Sequence, residues 1–158
     1  MSDRSELIEL HNRLSKTLDE ERGAAREKRY EKGYRTAREN LDDLVDKDSF
    51  VEYGQLAIAA QKSRRELEEL RTETAADGII TGFGKINSEI LDDKKALSAI
   101  IINDYSVLAG TQGYYHHKKL DRICETAEKQ NLPVVMYTEG GGGRPGDTDV
   151  HVQFAGLQ

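Results

Sequence analysis

The sequence has one cysteine, two prolines and no tryptophan, and aromatic residues make up only 6 % of its 158 positions. The single cysteine, Cys124, excludes an intrachain disulfide framework and a CxxC metal pair. No apolar run reaches the ~18–20 residues of a membrane-spanning helix, and the stretch MSDRSELIEL lacks the apolar core of a secretion signal. Basic residues are not in surplus: 23 Lys and Arg face 29 Asp and Glu, for a net charge of −6. Without a basic cluster, general nucleic-acid binding is excluded. No serine or cysteine has a base in a recognisable pattern, no carboxylate pair stands out, and no metal is expected. Hydrophobic residues reach only 37 %, little for a chain that is to close its own core. A cytoplasmic, water-facing chain of one domain, or a piece of one, is expected.

The charge that is present is unevenly spread. Residues 1–73 hold 33 of the 52 charged side chains and no proline, whereas Pro133, Pro145 and most glycines lie beyond residue 77. The chain thus divides into a helical arm with a polar connection (1–75) and an α/β portion (76–158). In the arm, Ser5 reads as an N-cap, and Leu7, Leu10, Leu14 and Leu18 recur on one helix face. Tyr30, Tyr34, Ala37 and Leu41 extend that stripe. Two readings stay open here: a solvated charged helix supported by i,i+4 pairs of about 0.2–0.5 kcal/mol each, or an arm packed on a partner subunit. LDDLVDKDSFVEYG is expected to form a short helix, a turn at 46–48 and a short extended piece. SRRELEEL reads as a solvated face.

From Gly78 the period is that of strands. GIITGFGKI alternates, LSAIIIN (97–103) is dense in β-branched residues, and NLPVVMYT (131–138) reads as another buried strand. A helix from about Tyr114 to Gln130 lies between the last two, with Leu120, Ile123, Cys124 and Ala127 as its apolar stripe. Cys124 is expected to be a small buried residue and His116 to pack at the core edge. The final DVHVQFAGLQ reads as the start of another helix, so the chain is expected to stop in mid-architecture.

Two segments have the composition of binding loops. Gly140–Gly143, followed by Arg144, leaves directly from the apolar run PVVMYT. Glycine there allows positive φ and a close approach of a ligand to main-chain N–H groups. Two such donors aimed at one point hold a developing oxyanion, and losing one typically costs about 10²–10³ in rate. Neither GxxxxGK[ST] nor GxGxxG fits the run. The second segment, Ala109–Gly113 (AGTQG), has the strand–loop–helix order that places an anion at a helix N-terminus. His116, His117, Lys118 and Lys119 follow at once. Cations there oppose the helix dipole by about 0.3–1 kcal/mol each; two readings stay open, a negative group bound nearby, and Lys118 and Lys119 that are simply solvated.

Three segments together resemble the carboxyltransferase component of biotin-dependent acyl-CoA carboxylases: GYRTARENLDDLVDKDSFVE (33–52), ADGIITGFGKI (76–86) and NDYSVLAGTQGYYHHKKLDRICETAEKQNLPVVMYTEGGGGRPGD (103–147). The resemblance covers about residues 30–150. It implies an α/β fold, part of a crotonase-like ββα superhelix, preceded here by the charged helical arm. It implies an acyl-CoA substrate, carboxybiotin on a separate carrier domain or subunit, a biotin carboxylase component, and an enolate held by main-chain amides. By position, Gly141 and Gly142 match the family's paired oxyanion glycines. Ala109, Gly110, Thr111, Gly113, Lys118, Lys119, Gly143 and Arg144 match the CoA side. Here the usual SGGAR reads Gly140–Arg144, with Pro145 in place of an aliphatic residue. TEGGGGRPGDTD is most similar to the subgroup acting on longer or unusual acyl-CoAs. The family's site lies where the N half of one subunit meets the C half of another, so a homo-oligomer and a C-terminal carboxyltransferase half are implied partners. Only part of the N half is covered, and the isolated chain is expected to be inactive. Two rival readings are a helical assembly module without catalysis and a CoA-ester decarboxylase or hydratase on the same fold.

Overall fold

The computed structural model describes residues 2–150; the helix expected at the extreme C-terminus falls largely outside them. Helices α1 (Ser2–Ser15), α2 (Gly23–Tyr30) and α3 (Ala37–Leu44) come first. Strand β1 (Val51–Glu52), helix α4 (Leu67–Glu73) and strand β2 (Ile79–Lys85) follow. A short helix α5 (Asp93–Ala96) leads into β3 (Leu97–Asn103), α6 (Tyr114–Gln130) and β4 (Val134–Tyr137). The strands form one sheet in the order β1-β2-β3-β4. β2 runs antiparallel to both β1 and β3, and β4 runs parallel to β3 with Val135 opposite Ile100. A parallel neighbour needs a crossover, and α6 supplies it. Among the described residues no helix is long and apolar enough to cross a membrane.

The run Ile100–Ile102 is unbroken because β3 is covered on both faces. Ile80, Ile100 and Ile102 pack with Ala37 and Leu41 of α3. Ile79, Ala99 and Ile101 pack with Ile123 and Ala127 of α6. Gly82 of β2 sits under β1: a Cβ there would run into the Val51 carbonyl and lie 2.5 Å from the Phe50 ring.

Several expectations need correction. The arm is three helices, and Ser5 lies inside α1 rather than capping it. Side chains that bond elsewhere break it: the Thr17 hydroxyl donates to the Leu14 carbonyl at 2.7 Å, and Thr36 Oγ1 donates to Asp19. Such local bonds compete with helix continuation. Thr36 also caps α3 in a reciprocal box with Glu39. Two buried ion pairs of the arm reach across the chain, Arg22 to Asp104 at 2.6 Å and Arg38 to Glu52 at 2.5 Å, while Arg65 and Glu69 form an i,i+4 pair. Ala37 and Leu41 of α3 belong to the core built on β2 and β3.

The leucine stripe of α1 is solvent-facing, Leu7 being 51 % exposed. Cys124 is exposed, because α6 turns His116, Lys119, Ile123 and Ala127 inward and position 124 lies about 100° past position 123. β4 is an edge strand with Val134 46 % exposed, not a buried one, since its outer side has no neighbour among the described residues. In α4 the solvated face is interrupted by Leu70, which is fully buried.

Candidate functional site: a double loop at the start of helix α6

At one end of the sheet the chain makes two left-handed turns. Ala76, Asp77 and Gly78 enter β2 with φ of 52°, 51° and 75°, and Leu108, Ala109 and Gly110 follow β3 with φ of 48°, 56° and 68°. Non-glycine residues in this region cost about 1–3 kcal/mol each and persist only where their surroundings hold them. Here they are held. The Asp104 N–H donates to the Gly78 carbonyl at 2.9 Å, joining the two turns. Lys119, buried, donates from Nζ to the carbonyls of Ala76 (2.9 Å) and Ile79. The His116 N–H donates to Asp77 Oδ2 at 2.7 Å.

The glycine run lies against the second turn, main chain on main chain. A Cβ on Gly110 would fall 2.5 Å from the Glu139 carbonyl, and one on Gly140 would fall 2.7 Å from the Ala109 carbonyl. Gln112 N–H donates to the Gly142 carbonyl and Arg144 N–H to the Gln112 carbonyl, at 3.0 and 2.9 Å. Gly141 and Gly142 face open space and are exposed. Among the described residues neither N–H has an acceptor.

Arg144 is the bolt of this arrangement. Its side chain is buried and pairs with Asp77, also buried. It donates to Thr111 O at 2.6 Å and Thr111 Oγ1 at 3.2 Å. Asp147 Oδ2 stands 3.8 Å from its Nη1 and accepts the Tyr114 N–H at 2.8 Å. Gly113 has no room for a side chain, since a Cβ would run into Arg144 Nη1 and lie 2.6 Å from Asp147 Oδ2.

The anion at the start of α6 therefore comes from the chain itself: Asp77 and Asp147 take the N–H groups of His116 and Tyr114. Burial pushes the Asp77 carboxyl above its usual range, against the pull of Arg144. Burial lowers His116 to about 4, so it is neutral, with Nδ1 3.2 Å from the Asp77 carbonyl. Burial likewise lowers Lys119 to about 8.

Two of the residues matched to the CoA side are engaged within the chain: Lys119 points inward onto main-chain carbonyls and Arg144 is held in an ion pair. His116 is fully buried rather than at a core edge. Lys118 is exposed, 5.7 Å over the Tyr114 ring. Ala109, Gly110, Thr111, Gly113, Gly141, Gly142 and Gly143 are brought together as one double loop.

A cleft of ≈ 810 Å³ adjoins this double loop, and Ala109 and Glu139 line it. Its far wall is α2 and the residues flanking it, with Ala25 and Lys28 on the helix, Arg22 before it and Lys32 after it. The size is that of a small-molecule site. The α2 residues were not legible as site residues, because the charged arm offers no local motif. Arg22 is held by Asp104, whose carboxyl burial pushes up and Arg22 and Ser106 pull below its ordinary value.

The profile of the carboxyl transferase domain matches residues 28–156. A biotin-dependent acetyl-/propionyl-coenzyme A carboxylase beta5 subunit of Mycobacterium leprae is 34 % identical over 139 residues, 87 % of this chain and 23 % of that protein. A solved single-chain, multi-domain long-chain acyl-CoA carboxylase shares 52 % identity at a TM-score of 0.87, over 90 % of this chain and 14 % of the other. Transcarboxylase 12S, solved with methylmalonyl-coenzyme A bound, shares 27 % identity at a TM-score of 0.63, over 79 % and 22 %. The chain belongs to the carboxyl transferase family, and its architecture is part of the crotonase-like fold. It spans about a quarter of the length of the curated relatives it matches.

Proposed function

We propose that this chain forms the CoA-thioester half of an acyl-CoA carboxyltransferase site. The observation that carries this is the exposed pair Gly141 and Gly142, whose N–H groups have no acceptor among the described residues, in the loop that starts from Glu139 on the cleft wall. Removing a proton from the acyl α-carbon moves negative charge onto the thioester oxygen. Two fixed N–H donors stabilise that oxygen without reorganising. Ala109 belongs to the CoA seat through the cleft it lines, and Lys28 and Lys32 offer charges for the CoA phosphates. Gly110 and Gly113 act by letting the loops approach, and Gly143 bridges to Gln112. Lys118 lies outside the cleft lining and is assigned a smaller share. The likeness to a long-chain acyl-CoA carboxylase and the TEGGGGRPGDTD loop both favour a longer acyl chain.

Gly141 has nothing within 4 Å of a built Cβ, so the loop is open where carboxybiotin would be presented. We assign that wall, the carrier and the biotin carboxylase to residues or subunits beyond this stretch. The exposed β4 edge is available to such a neighbour.

Calorimetry with acetyl-CoA tests the reading. The full chain is expected to bind weakly. Gly141→Val, which meets no protein atom, should abolish binding and leave folding intact. Lys28→Ala combined with Lys32→Ala should weaken binding more at low salt than at high salt. Absence of any binding by the unmodified chain, or unchanged binding by Gly141→Val, would sink the reading and leave an assembly module. Given acetyl-CoA and free carboxybiotin, the chain alone is expected to transfer no carboxyl group; detectable product would refute that part.

A further inference from the structure

Arg29 of α2 lies 110 residues from Glu139 in sequence, yet the two form a two-pronged pair at 2.6 and 2.8 Å. The same guanidinium donates twice more, from Nε and Nη2, to the Arg35 carbonyl at 2.9 and 2.8 Å. It stands 5.1 Å from the Tyr34 ring and 5.8 Å from the Tyr105 ring. Its side chain is 10 % exposed. A fork used on every side in this way has one orientation, which a point charge would not have.

Glu139 is the last residue before the glycine run, and its carbonyl is the surface on which Gly110 rests. Four consecutive glycines have little conformational preference of their own, so the two ends of the run decide its path. Arg144 fixes the downstream end. Arg29 is the only charged partner of the Glu139 side chain among the described residues. Its helix is itself tied down, since Arg22 of the preceding turn pairs with Asp104.

We infer that Arg29 is a positioning residue, holding the upstream end of the glycine loop through Glu139, so that the docked arm helix sets the geometry of the thioester site. The inference rests on the reading of Gly141 and Gly142 as oxyanion donors for its purpose, but the link between arm and loop can be measured without any ligand. Charge-assisted, two-pronged pairs are the stronger kind of hydrogen bond.

Amide hydrogen exchange on the full chain tests it. The reporters are the Gln112 and Arg144 amides, which hold the loop, and the Ile100–Ile102 amides of β3, which report global opening. In Arg29→Ala the loop amides should exchange at least about tenfold faster while the β3 amides keep their rates; Arg29→Lys should fall between. A merely structural role would accelerate both sets together, and that outcome overturns the inference, as do loop amides that exchange as in the unmodified chain. If Arg29→Ala does not fold, Glu139→Gln, at a partly exposed side chain, offers the same comparison: faster loop amides alone support the link, and equal acceleration or no change overturns it. A chain that binds no acetyl-CoA but shows the exchange pattern would refute the thioester reading and leave the link standing.

Discussion

Arg144→Ala is expected to lower folding stability by about 3–5 kcal/mol at pH 7, the usual result of removing one member of a buried pair. The reason lies in what is left behind. Asp77 is fully buried in a left-handed turn, and its second oxygen already serves the His116 N–H. Without Arg144 it must stay charged in a dry place or take up a proton. Its carboxyl is pushed up by burial even with Arg144 present, so in the variant it rises further. A carboxyl raised in the folded state binds a proton more readily there than in the unfolded chain, so its penalty grows with pH and eases in acid. The defect should therefore be larger at pH 7 than at pH 5. Asp77→Asn should cost less, because Asn tolerates the left-handed region and Arg144 keeps Thr111 and Asp147 close by. Urea unfolding of the three proteins at both pH values checks this. Equal losses for Arg144→Ala and Asp77→Asn, unchanged by pH, would show that the pair is incidental.

The segments written in short-range chemistry were legible in the sequence. LSAIIIN is β3 to the residue, and α6 runs from Tyr114 to Gln130 as its stripe implied. Both owe their form to local propensity, although α6 turns His116 and Lys119 inward and leaves Cys124 of its expected stripe exposed. The arm was less legible because its contacts are remote. A Thr36–Glu39 box can be read locally, but nothing beside Arg29 announces Glu139, and nothing beside Arg22 announces Asp104. The apolar composition of β4 marked it as buried, while among the described residues it lies at an edge of the sheet.

The candidate site divides in the same way. That AGTQG and the glycine run belong together follows from their resemblance to one family, and the crossing of Gly110 and Gly140 gives the physical reason for their glycines. The roles of the charged residues were not legible. Four basic residues at a helix start pointed to a negative group nearby, and Asp77 and Asp147 stand there, one 39 residues before His116 and the other 33 residues after Tyr114, accepting main-chain N–H groups of the helix start. Periodicity places a lysine on a helix face but does not say whether carbonyls wait beneath it, as those of Ala76 and Ile79 do for Lys119. Strain at Ala76, Asp77, Leu108 and Ala109 is equally invisible in one sequence, because none of these residue types demands positive φ.

His116 should make the fold acid-sensitive in a defined window. Burial lowers its imidazole from 6.5 to about 4, with Arg144, His117 and Lys119 adding like charge and the backbone bond to Asp77 opposing. Between those values the unfolded chain binds a proton that the folded chain refuses, so stability falls as pH drops through the window. Above pH 6.5 the contribution is fully present; below about 4 both states are protonated and nothing more is lost. At about 1.4 kcal/mol per unit, the loss across the window is roughly 3 kcal/mol, a large share of the ~5–15 kcal/mol of a typical domain. Asp104 and the other carboxylates also titrate in acid, but they do so alike in His116→Gln. The stability of the unmodified chain should therefore drop roughly 3 kcal/mol further than that of His116→Gln between pH 7 and 4. NMR titration of the ring gives the direct check: a midpoint near 6.5, or identical acid limbs for the two proteins, would show that this histidine is not held neutral by its burial.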